Sequence, residues 1–201
     1  MKWFVGLLVI MSGGCVSAPQ PYVSAQFYSQ IPRSVAVLPF ENQSLDLMGP
    51  EMLRKMTVQR LGFWGYTIVP LEQSDAKLQG MGITDGGQLK SLSPQEIGKQ
   101  LGVEGLCYGT VEQFSFQNVG FYLKRSVGVR LKLVSALSGE RLWEGSGEAR
   151  VVEVHGKKDK AERAFVRGLA QKAAENMFKS PLKPEANEAL DRLFLKIPRR
   201  Q

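Results

Sequence analysis

The chain has 201 residues, 43% of them hydrophobic and 22% charged, with a formal net charge of +7 at pH 7. That length suits one domain of ordinary size with a sizeable core. Two cysteines and a single histidine leave no material for a disulfide framework or a His/Cys metal cluster.

Met1-Lys2 is a minimal positive start, and Trp3 to Met11 is an unbroken apolar run ending in Ser12-Gly13-Gly14-Cys15. The run is shorter than the ~20 residues needed to span a bilayer and has the form of a secretory leader. Small residues directly before a cysteine are what a lipoprotein signal peptidase requires. Residues 1–14 are therefore read as a signal peptide and Cys15 as the acylated first residue, although Ser12 stands where lipoboxes usually carry an aliphatic residue. Val16 rather than Asp follows the cysteine, which predicts sorting to the outer membrane, with the domain facing the periplasm. Residues 15–32 carry three prolines, Ser and Gln and no charge, and read as a lipid-anchored flexible tether of up to ~55 Å.

From Arg33 the pattern changes. Ser34 to Phe40 is a run of β-formers, and Glu41 to Ser44 breaks it. Pro50 suits a helix start, Leu53, Met56, Arg60 and Leu61 follow at helical spacing, and Gly62 is placed to close the helix. Tyr66 to Pro70 reads as a second strand, Glu72 to Gln79 as a helical turn, and the glycines at 80, 82, 86 and 87 as loop. Ser93-Pro94-Gln95-Glu96 is a capping box opening a helix that stops at Gly102.

The middle of the chain alternates with period two. Leu106, Tyr108, Thr110, Glu112, Phe114 and Phe116 are expected on one face of a strand. In Phe121 to Ser135, Val127, Val129, Leu131 and Leu133 face the core, while Lys124, Ser126, Arg130 and Lys132 face solvent. Ser138-Gly139-Glu140 turns the chain into a third strand, Arg141 to Val154. Lys160 to Phe178 reads as an amphipathic helix, and residues 180–201 as a C-terminal tail. The expected architecture is a single α/β domain over residues 33–179. Its mixed sheet has two N-terminal β-α units, then an antiparallel three-stranded meander, with helices packed on one face.

The stretches SVAVLPFENQS (34–44), GYTIVPLE (65–72), LGVEGLCYGTVEQ (101–113) and LKLVSALSGERLWEGSGE (131–148) resemble a family of bacterial outer-membrane lipoproteins of unknown function. That family is related to CsgG, the curli-secretion lipoprotein, and to the TolB amino-terminal domain. The resemblance covers roughly residues 33–178. It implies a CsgG/TolB-N-like fold and an envelope compartment, and brings no active-site residue with it.

No chemistry stands out from the residue pattern. His155 reads as a loop residue and Cys107 as a buried, inert thiol. Ser74/Lys77 and Ser180/Lys183 have Ser-x-x-Lys spacing without the companion motifs of penicillin-binding enzymes. Trp143, Phe40 and Phe165 read as core; Trp64, between two glycines, is divided between core and an exposed contact. The late basic excess fits an anionic envelope better than nucleic acid, which an exported protein rarely meets. The sequence thus predicts a non-enzymatic envelope lipoprotein without metal or cofactor. It is expected to be a periplasmic scaffold or an assembly/export factor, anchored in the outer membrane by its N-terminal lipid. Its expected partners are copies of itself or other envelope proteins. The alternative is a subunit of a CsgG-like secretion channel.

Overall fold

A computed structural model describes residues 20–154 and 181–198. Cys15, His155, Phe165, Ser180 and the expected helix 160–178 lie outside the described residues. The elements are β1 Tyr22–Val23, β2 Ser34–Val37, β3 Glu41–Asn42, α1 Gly49–Phe63, β4 Thr67–Ile68 and α2 Leu71–Gly80. A 3₁₀ helix Gly86–Ser91 follows, then α3 Pro94–Leu101, β5 Gly105–Val119, β6 Tyr122–Ser135, β7 Arg141–Val154 and α4 Lys183–Phe194. Among the described residues they build one mixed sheet in the order β1-β7-β6-β5-β2-β4, with β3 beside β5. β2 runs parallel to β4 and β5, and β5, β6 and β7 form the antiparallel meander.

Local chemistry sets several boundaries as expected. Pro50 lies in the first turn of α1. Ser93 Oγ accepts from Glu96 N at 3.2 Å, and Glu96 Oε2 accepts from Ser93 N at 2.8 Å. Gly102 closes α3 with φ of 72°. The first helix runs past Gly62 to Phe63, and Gly65, at φ 89°, is the residue that turns left-handed.

Helices lie on both faces of the sheet, not on one. Alternation along β2 is the reason: Val35 and Val37 join a core with α1 and α4, while Ala36 and Leu38 join a second core under α2, the 3₁₀ helix and α3. A strand apolar at every position is a strand covered twice. A second correction concerns β5. Its register shifts between Val111 and Gln113, so Phe114 and Phe116 fall on the face of Cys107 and Val111, opposite Leu106. One extra residue in a ladder reverses the side-chain alternation beyond it.

The proposed tether and tail are also revised. Tyr22 and Val23 pair with Glu144 and Trp143 of β7, Ser24 N donates to Leu142 O at 2.8 Å, and Phe27 is 0% exposed. Residues 22–32 are therefore part of the domain. At the other end α4 buries Ala186, Ala189, Leu190, Leu193 and Phe194 against the sheet. Arg60 Nε and Nη2 donate to Asp191 Oδ1, Arg192 Nη1 donates to Glu148 O, and Trp143 Nε1 donates to Lys196 O. No helix among the described residues is long and apolar enough to cross a membrane.

Candidate interaction sites

Two features face outward. The first is the loop between β3 and α1. Asn42 organises it: its Nδ2 donates to Asp46 O at 2.8 Å, and its Oδ1 accepts from Ser44 N and Ser44 Oγ. Asp46 Oδ1 then accepts from Met48 N and Gly49 N, both at 2.8 Å, capping the start of α1 from outside it. With its polar side chains turned inward on their own backbone, the loop presents Leu45, Leu47 and Met48 at 102, 86 and 67% exposure. Sequence reasoning took Glu41 to Ser44 as a strand break and gave Leu45 to Met48 no role. Its signal was three large apolar residues crowded between Ser44 and Gly49.

The second feature is a cleft of about 430 Å³ where the 3₁₀ helix ends, α3 begins and the open face of the meander starts. The register sets Tyr108, Lys132, Glu144 and Tyr22 in one row across four strands. Leu89, Leu92, Pro94, Tyr108 and Val134 supply apolar lining, and Lys90, Arg130, Lys132 and Arg141 supply positive charge beside Glu41 and Glu144. Both lining carboxylates are engaged. Glu41 meets Lys90 at 3.0 Å; Glu144 takes Arg141 at 2.5 Å and Arg130 at 3.4 Å. Arg130 also holds Glu112, and the Arg141 guanidinium lies 3.9 Å from the centre of the Tyr22 ring. Burial pushes the Glu144 carboxyl up, but Arg141 and Arg130 together outweigh it and hold the group below its usual range.

Lys132 differs from the other cations. Its Nζ sits 4.8 Å over the Tyr108 ring, and no carboxylate among the described residues lies within ion-pair distance of it. Burial pushes the Tyr108 phenol up to about 12, so it stays a neutral donor.

The remaining candidates separate. Cys107 is buried at 3% exposure and its thiol is pushed up to about 12 by burial, as an inert core residue should be. Ser74 is fully buried and its Oγ donates to Leu71 O, while Lys77 Nζ donates to Leu101 O; the pair is spent on helix packing. Trp143 and Phe40 are core. Trp64 is half-buried and packs edge-on against Phe194 at 5.9 Å, and its neighbour Phe63 is the exposed ring. Of the residues expected in solvent on β6, Arg130 is exposed, Lys124 and Lys132 are half-buried, and Ser126 is buried. Among the described residues no group of three or more His, Cys, Asp or Glu could hold a metal ion.

A family model described as "Putative lipoprotein GNA1162-like" matches residues 22–194. A Neisseria meningitidis serogroup B protein named "Putative lipoprotein NMB1124/NMB1162" is 24% identical over 124 residues, 62% of this chain. The match spans 58% of that relative's length. Lipoprotein GNA1162 from Neisseria meningitidis superposes with a TM-score of 0.57 at 22% identity, over 71% of this chain and 99% of that one. The PelC dodecamer from Paraburkholderia phytofirmans gives 0.53 at 12% identity, over 90% and 97%. These two likenesses are likenesses of fold.

Proposed function

Because the chain belongs to the GNA1162-like lipoprotein family, with residues 22–194 matched, we propose that it is an outer-membrane lipoprotein that works by association and not by catalysis. Cys15 is its anchor, acylated after removal of residues 1–14. Since residues 22–32 are docked on the sheet, no more than the six residues 16–21 separate the proposed anchor from the domain, at most ~22 Å of chain. The domain rides close to the periplasmic surface of the membrane. Copies confined to one such plane meet at high effective concentration, so modest contacts suffice for assembly.

The loop Leu45–Met48 carries this reading. Scattered single apolar residues on a surface need no explanation, but three neighbouring ones on a hydrogen-bonded loop form a contact surface. The partner is another copy or a second envelope protein. The solved PelC structure is a dodecamer, which makes a homo-oligomer the first form to look for. Crosslinking of the anchored protein in intact cells tests the reading. A ladder of copies, or one defined partner, supports it, and monomer alone overturns it. Intact mass of the membrane-extracted chain tests the anchor: it should begin at Cys15 with added acyl mass.

A channel subunit related to CsgG is the second reading. β5, β6 and β7, at 15, 14 and 14 residues, exceed the ~9–11 a barrel strand needs. The apolar row of β6, however, lies under the helices, and its other row carries Lys124, Ser126, Arg130 and Lys132. That leaves no apolar row for lipid, which favours the scaffold. Conductance in a lipid film would reverse the choice.

A further inference from the structure

We infer that the cleft between the 3₁₀ helix and the meander is a binding site for a small organic acid, with Lys132 as the counter-charge. The inference does not rest on the association reading. It rests on four features that meet in one place.

The first is size. A volume of about 430 Å³ lies within the range of small-molecule pockets, ~300–1,000 Å³. The second is the charge balance. Glu41, Glu112 and Glu144 are already taken by Lys90, Arg130 and Arg141, which leaves the positive charge of Lys132 over. An ammonium held over a phenol ring is stabilised by the ring face on one side only, and no carboxylate among the described residues takes its remaining donors. The third is a pre-set frame. Arg130 and Arg141 are fixed by Glu144, so the cationic rim pays little ordering entropy when a ligand arrives. The fourth is the lining. Leu89, Leu92, Pro94 and Val134 offer an apolar seat beside the charge. Tyr108 Oη accepts or donates no hydrogen bond among the described residues and is free to donate to an anion.

A carboxylate or phosphate alone would satisfy the charge and leave the seat empty; an uncharged body would fill the seat and leave Lys132 unmatched. The recognised chemistry is therefore an acid on a compact apolar body. With apolar and cationic residues side by side, the lining fits such an acid better than a bare phosphate headgroup.

Calorimetric titration of the mature, detergent-extracted chain tests this with four probes. Cyclohexanecarboxylate carries both features, cyclohexanecarboxamide only the body, and acetate and inorganic phosphate only the charge. Saturable binding is expected for the first, weakened at least about tenfold for the others. Lys132→Met should lose binding by a similar factor and Lys132→Arg should retain it within a few-fold. Lys99→Met, an exposed change on α3, should leave it untouched. Equal urea midpoints for the variants would confirm that folding is unaffected. No saturable binding by any acid, or equal binding by Lys132→Met and Lys99→Met, would overturn the inference. Tighter binding of phosphate than of cyclohexanecarboxylate would also overturn the apolar seat.

Discussion

Gly147 on β7 faces the carbonyl of Ala189 on α4 with no space between them for a side chain. A Cβ at 147 would overlap that oxygen and press on Leu193. The C-terminal helix therefore approaches the sheet as closely as backbone allows, and the glycine is there for the approach, since its φ is not positive. Gly147→Val should lower stability by about 1–3 kcal/mol or more by forcing α4 outward. Urea unfolding checks it, and an unchanged midpoint would mean that α4 is not seated on β7.

The N-terminal arm can be tested in the same way. Phe27 is wholly buried and Tyr28 is 67% exposed. Phe27→Ala should cost roughly 3–5 kcal/mol, whereas Tyr28→Ala, which removes only an edge contact to Phe27, should cost under about 1.5 kcal/mol. Similar small effects from both would return residues 22–32 to the status of a free tether.

The Cys107 thiol and the Tyr108 phenol are both pushed up to about 12 by burial, from ordinary values of 9.0 and 10.0. Both are neutral in the folded state where the unfolded chain would ionise them. Their contribution to stability is therefore complete below pH 9 and is lost as pH rises toward 12. The urea midpoint should fall steadily across that window. A thiol reagent at pH 8 should modify Cys107 only after unfolding, and rapid labelling of the native protein would contradict its burial.

Much of this architecture was legible in the residues. Period two in β6 placed Val127, Val129 and Leu131 in the core, and the Ser93–Glu96 box fixed the start of α3. Those signals are local. The bulge at Val111/Gln113 was not legible, because one inserted residue reverses a strand's faces without altering its composition. The helices on the second face had a signal that was passed over: Val35, Ala36, Val37 and Leu38 are apolar without interruption. The arm and α4 escaped because their apolar residues are few and their partners lie far along the chain, from about 40 residues to more than a hundred. Tyr22 pairs with Glu144, and Arg60 meets Asp191. The cleft escaped because Tyr108, Lys132 and Glu144 become neighbours only through strand register.

The exposed loop should be separable from folding. Leu45→Ser with Leu47→Ser removes apolar surface that already lies in solvent, so stability should change by no more than about 0.5 kcal/mol. Assembly of the full-length protein in cells, read by crosslinking, should fall sharply. Loss of assembly together with a lowered urea midpoint would instead assign the loop a structural role.

The most direct test of action by association is a photo-crosslinking residue placed at Leu47 in the full-length chain in intact cells, with Gln73, exposed on α2, as the control position. Leu47 should yield one or a few discrete adducts, of multiples of the chain or of one defined partner. They should disappear when Cys15→Ala removes the proposed anchor, and Gln73 should yield none of them. Monomer alone from Leu47, or the same diffuse products from both positions, would contradict the account and reopen the search for a catalytic role.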